Sequence, residues 1–140
     1  MTIEFGNAGR LDTGESGWFI GFGPWISDGR GASHPLRFMA ENRLARAVQM
    51  KWMHHPAGDD RGTGKPPSLG RTISMLVSES GAFRLEFATS ADFDEPELIR
   101  HRLGNHGDYV IWGEDLHHRW FVDNDSTILT VRWIPLPPSR

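Results

Sequence analysis

The sequence contains no cysteine, which excludes disulfide bonds and thiolate catalysis. It has no apolar run near the ~20 residues of a membrane-spanning helix, and its first residues lack the basic and apolar regions of a secretory signal. It also lacks a surplus of basic residues: 15 Lys and Arg stand against 18 Asp and Glu, whereas binding to a phosphate backbone needs the opposite balance. We therefore expect a cytoplasmic protein that binds neither nucleic acid nor membrane.

Glycine and proline, with 16 and 9 residues, are spread between short apolar runs. This spacing is typical of an all-β protein, and 140 residues fit one domain. We expect N-terminal strands and loops over 1–46, with a strand at 18–20 and a short helical turn within 38–46. A barrel core over 47–134 and a tail over 135–140 follow. The predicted later strands are 71–77, 81–87, 97–103, 108–112, 118–122 and 126–133.

A strict alternation of residues starts at position 48 and assigns two faces to one strand. One face carries Val48, Met50, Trp52 and His54, and the other carries Gln49, Lys51, Met53 and His55. Because the first face is the more apolar, we predict that it points into the barrel and that His54 points inward with it. A loop over 56–70 follows this strand.

The run from Gly107 to Trp120 has a Gly-Asp strand start, a strand, a tight turn and a histidine that opens the next strand. It resembles the second motif of the cupin superfamily, with Asp115 at the turn glycine and His118 at the metal-binding histidine. Asn124 comes slightly later than the family's asparagine, and a strand from Ser126 to Trp133 closes the pattern. The resemblance implies a cupin-type double-stranded β-helix, which is a jelly-roll barrel, with an N-terminal extension and little helix. The chain is similar to small single-domain bacterial cupins of unassigned function.

The first cupin motif is degenerate in this chain. Gly58 and Gly81 match its two glycines, but no histidine lies between them, and Thr72 and Ser74 stand near the place of its glutamate. Of the four metal ligands that the family usually offers, the resemblance therefore carries over only His118.

Two other histidines are candidates to rebuild a metal site. Successive strand residues point to opposite faces, and the predicted interior faces are those of His54, His101 and His118. Three imidazoles with one open position suit Zn²⁺ or Fe²⁺. The alternative is that His118 alone lines a small-molecule pocket, while the other histidines are ordinary core residues.

These residues favour a small-molecule-binding protein whose site lies inside the barrel near His118, with Trp120, Arg132 and His54. Arg132 and Lys51 are candidates to clamp an acidic ligand, since a guanidinium matches a carboxylate; the alternative for both is a solvent-facing charge. We expect ligand affinity to depend on pH through a change in the charge of His118 near neutral pH.

An enzyme is the alternative to a binding protein. One form is a metal-dependent oxygenase or isomerase that uses His118 with recruited histidines. The other is a metal-free epimerase in which a histidine is the general base. We also expect a homodimer, because the exposed edges of a jelly roll need cover and the segment before residue 46 is long enough to pair with a neighbouring sheet.

Overall fold

The described part of the chain forms mainly antiparallel β-sheets, with one short parallel pair between residues 21–22 and 38–39, and has almost no helix. The structure is a computed structural model that describes residues 3–13, 15, 17–22, 38–39, 45–62, 66–94, 98–114 and 116–136. The strands are β1 (Ile3–Asn7), β2 (Gly21–Phe22), β3 (Phe38–Met39), β4 (Ala45–His55), β5 (Arg71–Leu76), β6 (Ser80–Ala88), β7 (Ile99–Asn105), β8 (Asp108–Trp112), β9 (His117–Asn124) and β10 (Ser126–Pro135). Within those ranges the only helical segment is one 3₁₀ turn, Ala8–Arg10, and no helix there is long and apolar enough to cross a membrane.

The strand order defines the architecture. The larger sheet has the order β1-β8-β5-β10-β4, and the smaller sheet has the order β7-β6-β9. Residues 58–61 extend the smaller sheet beside β9, because the Gly58 N–H donates to the Val122 carbonyl at 2.7 Å and the Arg61 N–H donates to the Trp120 carbonyl at 3.2 Å. From β4 onwards the chain has eight extended segments: β4, segment 58–61 and then β5 to β10. The first of these pairs with the eighth, and the second pairs with the seventh. This is the order of a jelly roll, as the sequence predicted.

The strands after residue 70 lie within two residues of their predicted limits. The turn between β7 and β8 illustrates why local chemistry was sufficient there. Gly107 adopts a φ of 88°, which favours glycine. The Asp108 carboxylate accepts hydrogen bonds from the N–H groups of Gly104 and Asn105 at 3.0 and 2.8 Å.

One prediction about the N-terminal part is wrong, and a second is tested only at its two ends. Residues 18–20 form no strand, and β2 starts only at Gly21. Residues 38–39 and 45–46 are extended rather than helical. The middle of that predicted helical turn, residues 40–44, lies outside the described residues, as does Asp115 of the cupin-like turn.

The larger sheet is buried on both of its faces over much of its area. Its inner face and the smaller sheet enclose one core, formed by Leu76, Phe83, Leu85, Phe87, Leu103, Val110, Trp112, Leu116, Val122 and Ile128. On its outer face a second cluster contains Ile73, Tyr109, Ile111 and Trp133, and Leu11, Phe19 and Ile20 of the N-terminal extension pack against it. Apolar side chains therefore occupy both faces of this sheet.

The orientation of β4 is the reverse of the prediction. Lys51 lies opposite Thr130 of β10, and His55 lies opposite Ser126. Since Ile128, on the same face of β10, is part of the inner core, Lys51 and His55 face the interior. The predicted interior residues Val48, Met50 and Trp52 are instead 56%, 72% and 67% exposed.

Candidate functional site

A cavity lies between the two sheets, and we call it the barrel cavity. Its volume is about 40 Å³, compared with the roughly 10–15 Å³ that one water molecule needs. A carboxylate-sized group therefore fits inside. The lining comes from β4, β5, β6, β8, β9, β10 and segment 58–61, through Lys51, His55, Arg61, Ser74, Phe83, Leu85, Trp112, His118, Trp120, Ile128, Thr130 and Arg132.

His118 lies in this lining and is 8% exposed. Arg61 Nη1 lies 2.7 Å from His118 Nε2. A guanidinium has no acceptor, so Arg61 donates and Nε2 carries a lone pair. The proton of the neutral ring is therefore on Nδ1, which lies 3.4 Å from the Ser68 hydroxyl. That hydroxyl also accepts a hydrogen bond from Trp112 Nε1 at 2.8 Å, so the ring is held from both sides.

The environment keeps His118 neutral. Burial first, and then the positive charges of Arg61, Arg132 and Lys51, lowers the pKa of His118 to about 3. The expectation that this imidazole changes charge near neutral pH is therefore wrong. Its role at neutral pH is that of a hydrogen-bond acceptor for Arg61.

Three cations surround the barrel cavity without a carboxylate partner. Among the residues that the structure describes, Lys51, Arg61 and Arg132 form no ion pair. The Arg132 Nε–H donates to the Thr72 hydroxyl at 2.9 Å, whereas Arg61 Nε is buried and has no hydrogen-bond partner. Burial lowers the pKa of all three cations, and the charge of Arg132 lowers the pKa of Lys51 and Arg61 further. A bound anion would relieve this repulsion.

His55 and Trp120 form the aromatic side of the barrel cavity. Their ring centroids are 4.6 Å apart in an edge-on arrangement. His55 Nδ1 lies 3.3 Å from the Asp59 carboxylate. Burial lowers the pKa of His55, and the hydrogen bond to Asp59 opposes that shift without cancelling it. The sequence analysis placed His55 on the outer face, whereas in the structure His55 lines the barrel cavity.

The structure brings together some of the predicted site residues and separates others. His118, Trp120 and Arg132 all line the barrel cavity. His54 lies on the exposed outer face of β4, where its Nδ1 is 3.3 Å from the Thr127 hydroxyl. His101 is on an inner face, as predicted, but it stacks on Phe5 of β1 with ring centroids 3.9 Å apart and does not line the barrel cavity.

The predicted set of three histidines therefore does not fit a Zn²⁺ or Fe²⁺ ion. The described residues contain no group of three His, Asp or Glu side chains placed to hold a metal. The lone pair of His118 Nε2 is engaged by Arg61, and nearby positive charges disfavour a cation at the ring. Ser74, near the place of the family's glutamate, contributes only a hydroxyl to the cavity.

Sequence reasoning missed Arg61. Its place in the site depends on the pairing of segment 58–61 with β9, which joins residues some sixty positions apart. The local sequence around it reads as a loop, and no periodic pattern indicates that pairing. The only available signal was the match of Gly58 to the first cupin motif, because that motif starts a strand of the barrel.

The comparisons with known proteins give similarities in structure alone. No family model matches the chain, and no curated protein sequence matches it. One similar structure is a hydroxypropylphosphonic acid epoxidase from S. wedmorenis, with 8% identity and a TM-score of 0.47, over 67% of this chain and 56% of that one. Another is a cupin domain from Bordetella pertussis Tohama I, with 11% identity and a TM-score of 0.42, over 65% of this chain and 90% of that one. The matched part spans about half the length of the epoxidase. The jelly-roll fold of this chain rests on its own strand order.

Proposed function

We propose that this protein binds a small organic anion in the barrel cavity, with the anionic group held by Arg61 and Arg132 and with Lys51 beside it. The observation that carries the proposal is the set of three cations without an ion-pair partner in the described part of the chain. Removing a cation from water without a partner is costly, and this applies to Arg61 and Arg132, which are partly buried, whereas Lys51 is exposed. A carboxylate or phosphate group would offset that cost through charge-assisted hydrogen bonds.

Two features of Arg61 support an anionic group at this position. The buried and unpartnered Arg61 Nε supports an anionic group inside the barrel cavity. Arg61 is fixed by its hydrogen bond to His118, so its donors are oriented before the ligand arrives. His118 acts in this proposal as a positioning residue, and Trp120 supplies the apolar wall.

A matched pair of ligands tests the proposal. Acetate and inorganic phosphate should raise the melting temperature in a low-salt buffer, whereas acetamide, the neutral counterpart of acetate, should not. Calorimetry should then show that Arg61→Gln weakens acetate binding by about tenfold or more, which is about 1.4 kcal/mol. Arg102→Gln, at an exposed position of β7, is the matched control and should bind like the wild type.

Two results would count against an anion site here. One is the absence of any preference for acetate over acetamide. The other is unchanged acetate affinity in an Arg61→Gln variant whose circular dichroism spectrum matches that of the wild type. A metal-dependent enzyme, the alternative from the sequence, is tested separately by elemental analysis after incubation with Zn²⁺ or Fe²⁺.

A further inference from the structure

The position of Lys51 supports a covalent step at the barrel cavity. Lys51 lies on the inner face of β4, directly opposite Thr130 and diagonally across from Arg132. Its side chain is exposed while also lining the barrel cavity. The amine is thus at the mouth, where a ligand held from inside by the arginines would present its outer end.

We propose that Lys51 forms a Schiff base with small 2-oxo acids, including glyoxylate, whose carboxylate is bound by Arg61 and Arg132. This inference rests on the proposed anion site and names its substrate class. In such a ligand the carbonyl carbon is bonded directly to the carboxylate carbon. A carboxylate inside a cavity of about 40 Å³ therefore leaves the carbonyl group at the mouth.

The electrostatic surroundings favour the reactive form of this lysine. Burial, and then the charges of Arg132 and Arg61, lowers the pKa of Lys51. A lysine beside other cations is a stronger nucleophile at neutral pH because more of it is the free amine. Within the described residues no carboxylate forms an ion pair with Lys51 to reverse that effect.

The step is balanced without a redox partner. The ammonium releases one proton to solvent, and the free amine attacks the carbonyl carbon and forms a C–N bond. The C–O bond then breaks, and the oxygen leaves as one water molecule that carries one proton from the amine and one from solvent. The product is a protonated imine, whose positive charge replaces the charge of the lysine ammonium. No electrons are gained or lost overall.

The sequence provides an internal control for a trapping experiment. The chain contains two lysines, Lys51 and Lys65, so any adduct is assigned by peptide mapping. Full-length protein is incubated with glyoxylate and cyanoborohydride at neutral pH, and the reduced adduct on each lysine is followed by mass spectrometry. The neutral aldehyde glycolaldehyde is used in parallel, and the Lys65→Arg variant confirms the assignment.

We expect glyoxylate to modify Lys51 at least tenfold faster than Lys65, a difference of about 1.4 kcal/mol in barrier. Glycolaldehyde should show little preference between the two lysines. Arg132→Gln should slow the reaction at Lys51 and leave Lys65 unchanged. Lys51→Arg should abolish the adduct in the peptide that contains position 51.

Glycolate, which has the carboxylate but no aldehyde or keto group, separates the proposed anion site from the proposed Schiff base. If glycolate binds and this binding requires Arg61, but Lys51 reacts no faster than Lys65, the Schiff base is disproved and the anion site stands. If glycolate does not bind at all, the anion site fails and the Schiff-base inference fails with it.

Discussion

The arginines on the outer face of the smaller sheet and those of the barrel cavity occupy opposite electrostatic situations. On the outer face, Arg100 and Arg119 donate to the two carboxylate oxygens of Glu86 at 2.9 and 2.6 Å. In the barrel cavity, Arg61 and Arg132 have no carboxylate partner among the described residues. The paired arginines connect neighbouring strands, and the proposed anion site assigns binding to the arginines that have no carboxylate partner in the described part of the chain.

The largest expected effect concerns His118, which accepts a hydrogen bond from Arg61, one of the unpaired arginines of the barrel cavity. The pKa of this histidine is about 3 in the folded protein, and its ordinary value is 6.5, so the unfolded chain binds the additional proton between those values. The contribution of neutral His118 to the free energy of unfolding is therefore fully present above pH 6.5. It falls as the pH is lowered from there, by up to about 1.4 kcal/mol per pH unit. Urea unfolding from pH 7 to pH 4 should show this decline, and His118→Gln should flatten it.

Glutamine is chosen at position 118 because its carbonyl oxygen still accepts a hydrogen bond from Arg61. His54→Gln, on the exposed outer face of β4, is the control and should leave the slope unchanged. A wild-type slope that persists in His118→Gln would mean that another group causes the acid sensitivity.

The second prediction concerns Glu86, the carboxylate that pairs with Arg100 and Arg119. Burial raises the pKa of Glu86, but hydrogen bonds from Arg119 and Arg100 lower it by more, so the net shift is downward. This carboxylate therefore stabilises the fold above pH 4.5, and its contribution is lost as the pH falls below that value. Glu86→Gln should reduce the free energy of unfolding at pH 7 by about 2 kcal/mol, measured by urea denaturation.

Glu79→Gln, at an exposed position of the neighbouring turn, is the control for that measurement. If both glutamine variants had wild-type stability, the arginines around Glu86 would contribute nothing measurable, and the contrast between the two sets would disappear.

The third prediction compares one arginine from each set. Arg132→Gln should weaken acetate binding by about fivefold, or about 1 kcal/mol, with little change in the urea midpoint. Arg100→Gln should lower the midpoint and leave acetate affinity intact. The same outcome for both variants, in either measurement, would contradict the division into paired and unpaired cations.

The last prediction, with the smallest expected effect on folding stability, concerns the outer face of β4 and the mass of the assembly. We expect its exposed residues Val48, Met50 and Trp52 to contact a second copy of the chain, because β4 is an edge strand. Light scattering should then give twice the mass of one 15.8 kDa chain, and Trp52→Glu should halve it. Leu69→Glu, at another exposed apolar position, is the control. A wild-type mass near 15.8 kDa would refute the dimer.

The sequence predicted the second half of the fold better than the first, for a physical reason. Strands β5 to β10 are connected mostly by short turns whose residues define them, such as Gly107 and Asp108. The resemblance of the run 107–120 to the second cupin motif also pointed to His118. In contrast, residues 18–20 belong to the N-terminal extension, where Phe19 and Ile20 pack on the outer face of the larger sheet, so their conformation depends on that sheet.

The site was predicted less completely because interior position was inferred from apolarity. That inference fails for β4, whose inner face carries Lys51 and His55 while its outer face carries Trp52. The polar lining of the barrel cavity inverts the usual pattern on this strand, and the apolar outer face hides the inversion. The pairing that brings Arg61 to His118 depends on tertiary structure, which single-strand patterns do not contain.

The position of β10 between β4 and β5 has a consequence for how the protein is made. β4 cannot join the larger sheet until residues 126–135 are available, more than seventy positions later, because β10 is its partner there, whereas β5 can already pair with β8. Such long-range pairing is slow, because distant segments must meet before contacts compensate for the lost chain entropy. Arg132 lies on this same strand. During synthesis, the barrel cavity is therefore completed in the same late event that completes the sheet, and unfinished chains expose an incomplete sheet edge.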